Sequence, residues 1–346
     1  MASGSQKVYA SVKSFSQRGK LLSRDDLQTL AESRNLDELL TRIKNTSYSD
    51  AVSDVPKPLT AEGIEAVLMA HLADVHYSIA KTAGNKVLEA YFLRFMARNL
   101  KVILKGKILG RPQDEIEAGV NMHAEELIRQ RDVILKALMS KDLGEAASSL
   151  GGTVFGEDAA KAVALYNETE NLQVMDTYFD KALARQLGRA LQLAGDRDLS
   201  GPVTMDIDFY NLLSVLRGKF WGLGEQQVMD LMDTYSPSAP REMLARMAAA
   251  GTLKDAFAEL QGTRYRDLAP KAEDGIGAIT EFERSFEMMM YRGALSSFTR
   301  MFSSGTSVGI TKLTAYEIRN MAAIAFAVEH GIPVETTMSK LVVEAE

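Results

Sequence analysis

The chain has 346 residues, 46% of them hydrophobic and 25% charged, with a formal net charge of −6. That make-up is ordinary for a globular protein. The negative balance speaks against a generic nucleic-acid binder, which would carry a basic domain or stripe. With no cysteine there is no disulfide framework and no thiolate metal or redox site.

In chain order, residues 7–31 predict two helices joined at Leu21-Leu22-Ser23, the second capped at Ser23. The opening MASGSQKVYASVKSF has no apolar core of signal-peptide type. A short helix follows from Leu36, then a loop carrying Pro56 and Pro58. From Thr60 to Gly106 the pattern is helical almost without interruption, and 113–141 reads as one further helix rich in Glu, Arg and Lys. Helix continues over 157–195, is broken at 194–198 and again at Ser200-Gly201-Pro202, and a new helix then carries Asn211. After the turn-rich YSPSAP at 235–240 comes a helix at 278–302. Its Phe282, Phe286, Met288, Met289, Met290 and Tyr291 suit an adaptable core. A loop at 303–312 leads to the last helix. No run alternates with the period of a strand, and none is long and apolar enough to span a bilayer. The chain reads as all-α.

Two motifs repeat through these elements. LDELLTRIKNTSY starts at Leu36, LGEAASSLGGTVF at Leu143 and LKDAFAELQGTRY at Leu253, aligned over thirteen residues without a gap. Each begins after a capping residue with an acid three positions on: Asn35/Glu38, Asp142/Glu145 and Thr252/Asp255. Apolar residues follow at i, i+3, i+4 and i+7, one face of a short helix. Asn45, Gly152 and Gly262 stand where a left-handed residue would end it. A threonine comes next in each, and two residues later a ring: Tyr48, Phe155 and Tyr265.

The second motif reads NLKVILKGKILG from Asn99, NLLSVLRGKFWG from Asn211 and NMAAIAFAVEHG from Asn320. Asn99 falls inside the apolar stripe Leu88, Tyr91, Phe92, Phe95, Met96, Leu100 and Ile103, so the alignment expects three buried asparagines. Such an amide either ties its helix to a neighbouring backbone or binds a ligand. The terminal Gly110, Gly222 and Gly331 are expected helix stops. Both motifs recur at a period near 110 residues, which divides the chain into 1–120, 121–234 and 235–346. Three such helical units close about a pseudo-threefold axis or stack in a row.

Signs of chemistry are few. His71 and His76 are five residues apart, off the i, i+4 spacing of a zinc helix, and His123 has no further ligand cluster. Gly106-Lys107 is followed by Ile108 and Gly218-Lys219 by Phe220, so neither is a phosphate-binding loop. No GxSxG elbow is present. No catalytic residue, metal site or cofactor is expected, and no nucleotide or nucleic acid is expected to bind directly.

The segments 210–228 (YNLLSVLRGKFWGLGEQQV), 316–333 (YEIRNMAAIAFAVEHGIP) and 30–48 (LAESRNLDELLTRIKNTSY) resemble the C subunit of archaeal and bacterial V/A-type rotary ATPases, a family that includes the eukaryotic V-ATPase d subunit. The acid three residues before the Asn (Asp208, Glu317), the Asn and the Gly eleven later match the family's recurring pattern. The first copy departs with Met96 in the acid's place, and the third lacks the Gly-Lys pair. The resemblance implies a funnel-shaped, pseudo-threefold, non-catalytic rotor subunit of the central stalk. It would sit at the cytoplasmic face of the membrane as a peripheral subunit, held there through a partner. It would join the membrane proteolipid ring to the central shaft and pass torque between H+ or Na+ flow and the ATP-handling head. By position, the candidate interface rim is Gly110, Arg111, Pro112, Gly222, Leu223, Gly224, Gly331, Ile332 and Pro333, with a plain helix stop as the other reading of these loops. The repeat is also compatible with a soluble all-helical scaffold unrelated to rotary ATPases, or with an enzyme whose site is assembled from dispersed side chains.

Overall fold

The computed structural model describes residues 4–233, 238–271 and 275–344. Among them it forms eighteen α-helices, three short 3-10 turns and no strand. In chain order the helices begin with α1 Gly4–Arg18, α2 Arg24–Ala31, α3 Leu36–Ile43, α4 Ala61–Ala83, α5 Lys86–Ile108 and α6 Gln113–Ala118. They continue with α7 His123–Leu127, α8 Arg131–Met139, α9 Leu143–Ser149, α10 Gly156–Thr169, α11 Gln173–Ala194 and α12 Arg197–Phe220. The last six are α13 Glu225–Leu231, α14 Arg241–Ala249, α15 Leu253–Ala258, α16 Gly275–Ser296, α17 Gly305–Glu329 and α18 Val334–Lys340.

The chain divides into two compact units, one of Met1–Leu88 with Met288–Glu346 and one of Glu89–Glu287, the boundaries falling inside α5 and α16. In the first unit, α17 packs against α1, α2, α3 and α4, and α18 packs on α2. The two ends of the sequence therefore build one core. The N-terminal half of α17 is buried almost throughout, which its Ser, Thr and Gly side chains permit by letting backbones approach closely. A Cβ on Gly309 would stand 2.8 Å from the Ala294 carbonyl oxygen. In the second unit α10, α11 and α12 pack in succession, and α13, α14 and α15 pack against α12.

The three short repeat helices start on their expected caps. Asn35 accepts from the Glu38 N–H at 2.9 Å, Asp142 from Glu145 at 2.8 Å and Thr252 from Asp255 at 3.1 Å. Their ends differ from expectation, since among the three proposed left-handed positions only Gly152 is left-handed (φ 80°). Asn45 and Gly262 continue instead into further turns. Thr46, Thr153 and Thr263 each donate a hydroxyl to the carbonyl three residues back and accept the N–H of the ring residue two residues on.

Several predicted spans are corrected. Residues 113–141 are three short helices rather than one; Arg129 is left-handed (φ 57°) and the backbone of Asn121 is drawn away by Asn99. The run from Thr60 to Gly106 breaks at left-handed Gly84, and 157–195 breaks at Glu170 (φ 52°). Ser200-Gly201-Pro202 does not interrupt α12: Pro202 lies inside the helix in its second turn, where one internal bond is lost without ending it. The expected helix at 278–302 ends at Ser296, and the expected loop at 303–312 belongs mostly to α17. Of the expected 235–240 turn, residues 235–237 lie outside the described residues.

Candidate functional site

The three asparagines of the long helices are each buried, and each clamps the backbone 22 residues further along. Asn99 donates Nδ2–H to the Asn121 carbonyl at 2.8 Å, and its Oδ1 accepts the Asn121 N–H at 3.1 Å. Asn211 accepts the Asp233 N–H at 2.9 Å. Asn320 donates to the Val342 carbonyl and accepts the Val342 N–H, both at 2.9 Å. A primary amide offers a donor and an acceptor side by side. It thus mimics a peptide group and pins the returning segment where no regular ladder exists.

Between each clamp and its target the helix stops on a left-handed glycine: Gly110 (φ 62°), Gly222 (φ 72°) and Gly331 (φ 64°). The stop has the same two backbone bonds every time. Arg111 N–H reaches the Gly106 carbonyl at 3.0 Å, Leu223 reaches Gly218 at 3.0 Å and Ile332 reaches Ala327 at 2.9 Å, with a shorter-range bond from each glycine inside it. The loops so formed expose Gly110, Arg111, Pro112, Gly222, Gly224, Gly331 and Pro333, while Leu223 and Ile332 are half-buried. Beside them stand apolar side chains that a core would normally take: Leu109 is 55% exposed, Phe220 44% and Phe326 53%. The heptad-like spacing of the helices did not reveal these, because they lie just past the buried stripe.

The Gly-Lys pair of the first two copies has a structural use. A Cβ on Gly106 would come within 2.6 Å of Ile116, and one on Gly218 within 3.0 Å of Val228. The glycines let α6 and α13 close against their long helices. Lys107 donates to the carbonyls of Leu138 (3.2 Å) and Ser140, at the end of α8; Lys219 donates to those of Ala248 (3.1 Å) and Ala250, at the end of α14. A cation placed on the last carbonyls of a helix also complements its dipole. In the third copy Ala327-Val328 replaces the pair, and α2 instead receives Arg42 on the Thr29 carbonyl.

The ring of the short repeat meets the acid of the long helix. Tyr265 donates its hydroxyl to Asp208 at 2.6 Å, and the Ser238 N–H reaches the other oxygen at 3.2 Å. Glu317 accepts the Leu22 N–H through Oε1, and the Tyr48 ring of the short repeat is close enough for its hydroxyl to favour the charged carboxylate. Burial pushes the Glu317 carboxyl up to about 7; Leu22 and Tyr48 oppose that shift and Asp26 adds to it. Both tyrosines are raised well above their ordinary value, chiefly by burial. In the first copy the acid is Met96 and the ring is Phe155, both inside one apolar cluster. The hydroxyl and the carboxylate have disappeared together.

Among the described residues no group of three or more His, Asp or Glu is placed to hold a metal ion, and no helix is long and apolar enough to cross a membrane. His76 is buried and pairs with Thr314 at 2.9 Å. What recurs is one helix-end construction: a buried Asn, a left-handed Gly and a clamped backbone 22 residues on.

Comparison with known proteins identifies the family. The model of the ATP synthase (C/AC39) subunit family matches residues 10–340. The chain belongs to this family. Among similar proteins is the C subunit of the A-type ATP synthase of Methanocaldococcus jannaschii, 24% identical over 334 residues, covering 92% of this chain and 81% of that one. Its counterpart in Thermococcus onnurineus is 25% identical over 341 residues, covering 94% and 87%. That of Haloferax volcanii is 24% identical over 298 residues, covering 81% of each. As a C/AC39 family member, the chain is a non-catalytic subunit of a rotary ATP synthase-type complex.

Proposed function

We propose that the chain is the central-stalk coupling piece of its complex, joining a membrane proteolipid ring to the foot of the central shaft and passing torque between them. The observation that carries the reading is the threefold recurrence of one construction: buried Asn, left-handed Gly, and a backbone clamp 22 residues on. In this reading each construction anchors one helical module, about 1–120, 121–234 and 235–346, and the modules are arranged as a funnel about a pseudo-threefold axis. A ring of identical subunits presents the same surface repeatedly around its axis. A body with three similar ends can meet it at three places, which resists tilting as the ring turns. The loops at Gly110–Pro112, Gly222–Gly224 and Gly331–Pro333, with Leu109, Phe220 and Phe326 beside them, are the proposed rim. The chain would then sit at the cytoplasmic face of the membrane, held there by its partners.

The test is purification of a tagged chain from native membranes in mild detergent, with its companions identified by mass spectrometry. The reading expects a proteolipid together with shaft and nucleotide-binding subunits. Recovery with unrelated proteins alone would overturn it and leave a helical scaffold.

A further inference from the structure

The second unit holds a cavity that none of the repeats explains. It lies along the seam between α11 and α12 and measures about 190 Å³. Its floor is made of buried side chains, among them Ala184 and Leu187 of α11 and Leu213 and Ser214 of α12. Ala184 and Ser214 are small, so the two helices leave the seam unfilled there. Half-buried Asp180, Leu183 and Phe209 stand at the mouth. The walls are braced against collapse. The Tyr210 hydroxyl of α12 reaches the carbonyls of Thr177 on α11, at 3.2 Å, and of Leu231. Tyr91 of α5 donates to Asp206, and Arg217 pairs with Glu283 at 3.1 Å. Asp180 gives Oδ1 to Lys101 at 2.5 Å, while its Oδ2 takes no bond among the described residues.

We infer that this cavity binds a neutral aromatic molecule of one or two rings that carries an N–H or O–H donor, the ring filling the space between Ala184, Leu187, Leu213 and Ser214 and the donor reaching Asp180 Oδ2. Three observations set the class of ligand. A cavity of about 150 Å³ lined by Leu, Ile and Phe is enough for benzene, so this one takes one ring with room for a second, and no helix. The deep side chains are mainly apolar, and the cation at the edge, Arg217, is already on Glu283. A phosphate or a sugar would therefore give up its water without return. The open carboxylate oxygen at the mouth accepts a hydrogen bond, which favours a ring with a donor over a plain hydrocarbon. A ligand seated there would brace α12, the helix that carries the Asn211 clamp.

The experiment titrates the full chain into a fluoroindole and follows the ligand by fluorine NMR. Saturable binding at one site is expected. N-methylindole, larger by one methyl group but without the donor, should compete about fivefold more weakly than indole. Ala184→Leu fills the cavity and should weaken fluoroindole binding about tenfold or more while the chain stays folded by circular dichroism. Asp180→Ala removes the acceptor and should bring the two indoles to equal affinity. Leu193→Ala, at an 80% exposed apolar position further along α11, should change nothing. Absence of saturable binding, equal competition by the two indoles in the parent chain, or undiminished binding by a folded Ala184→Leu chain would overturn the inference. So would tighter binding of decanoate than of indole, which would make the cavity an acyl-chain site. Should Ala184→Leu fail to fold, the change at Asp180 decides: a preference for indole that survives Asp180→Ala puts the ligand elsewhere and overturns the assignment.

Discussion

Replacing Glu317 by glutamine should make stability less sensitive to pH, in one definite direction. Glu317 is 6% exposed, and burial raises its carboxyl from an ordinary 4.5 to about 7 in the folded chain. Between those values the folded state holds a proton that the unfolded chain has released. Its contribution is therefore fully present below about 4.5, is lost as pH rises through about 7, and is flat beyond. The gap of roughly 2.5 units corresponds to about 3 kcal/mol. Glutamine keeps the shape and an acceptor for the Leu22 N–H but cannot ionise. Urea unfolding of both chains from pH 4.5 to 8 isolates the group. The stability of the parent minus that of Glu317→Gln should fall by about 3 kcal/mol over this range, mostly between pH 5 and 7. A flat difference would mean that the carboxylate is solvated after all. A rising difference would mean that Leu22 and Tyr48 outweigh burial.

Asn211→Ala should cost about 2 kcal/mol, because the Asp233 N–H in its buried clamp loses its acceptor, and amide exchange at Asp233 should speed up more than exchange in α10. Gly106→Ala drives a methyl into Ile116 and should cost about 1–3 kcal/mol, read as a lowered Tm; no loss would mean that α6 moves aside freely. Phe155→Tyr alone should destabilise by about 1–3 kcal/mol through an unpartnered buried hydroxyl, and adding Met96→Glu should restore part of it, as a double-mutant cycle would show. Thr252→Ala should cost about 1 kcal/mol by removing the cap of α15.

The sequence spoke clearest where one residue type satisfies a backbone need by itself. Asn35, Asp142 and Thr252 cap the helices they were expected to cap, and Gly110, Gly222 and Gly331 end theirs in the left-handed region. The burial of Asn99, Asn211 and Asn320 was legible from apolar periodicity, but their targets were not. Asn121, Asp233 and Val342 are held through main-chain groups, which any side chain can accompany. The same holds for the Gly-Lys pair, whose lysines cap helices about thirty residues away. Periodicity failed where close packing overrode composition, as in the Ser- and Gly-rich start of α17, and where a non-glycine residue turned left-handed, as at Arg129 and Glu170. The departure at Met96 was visible in the alignment of the repeats. Its reason, the matching loss of a hydroxyl at Phe155, needed the contact between Tyr265 and Asp208 to be seen.

The absence of cysteine makes the most direct test of the proposed rim straightforward. Single cysteines at the exposed positions Arg111, Gly224 and Glu335, one beside each helix end, can carry a short photo-cross-linker into native membranes. The account predicts that all three cross-link to the same proteolipid. Cross-linking from one position alone, or from none while the complex is recovered intact, would contradict three equivalent ends on a common ring.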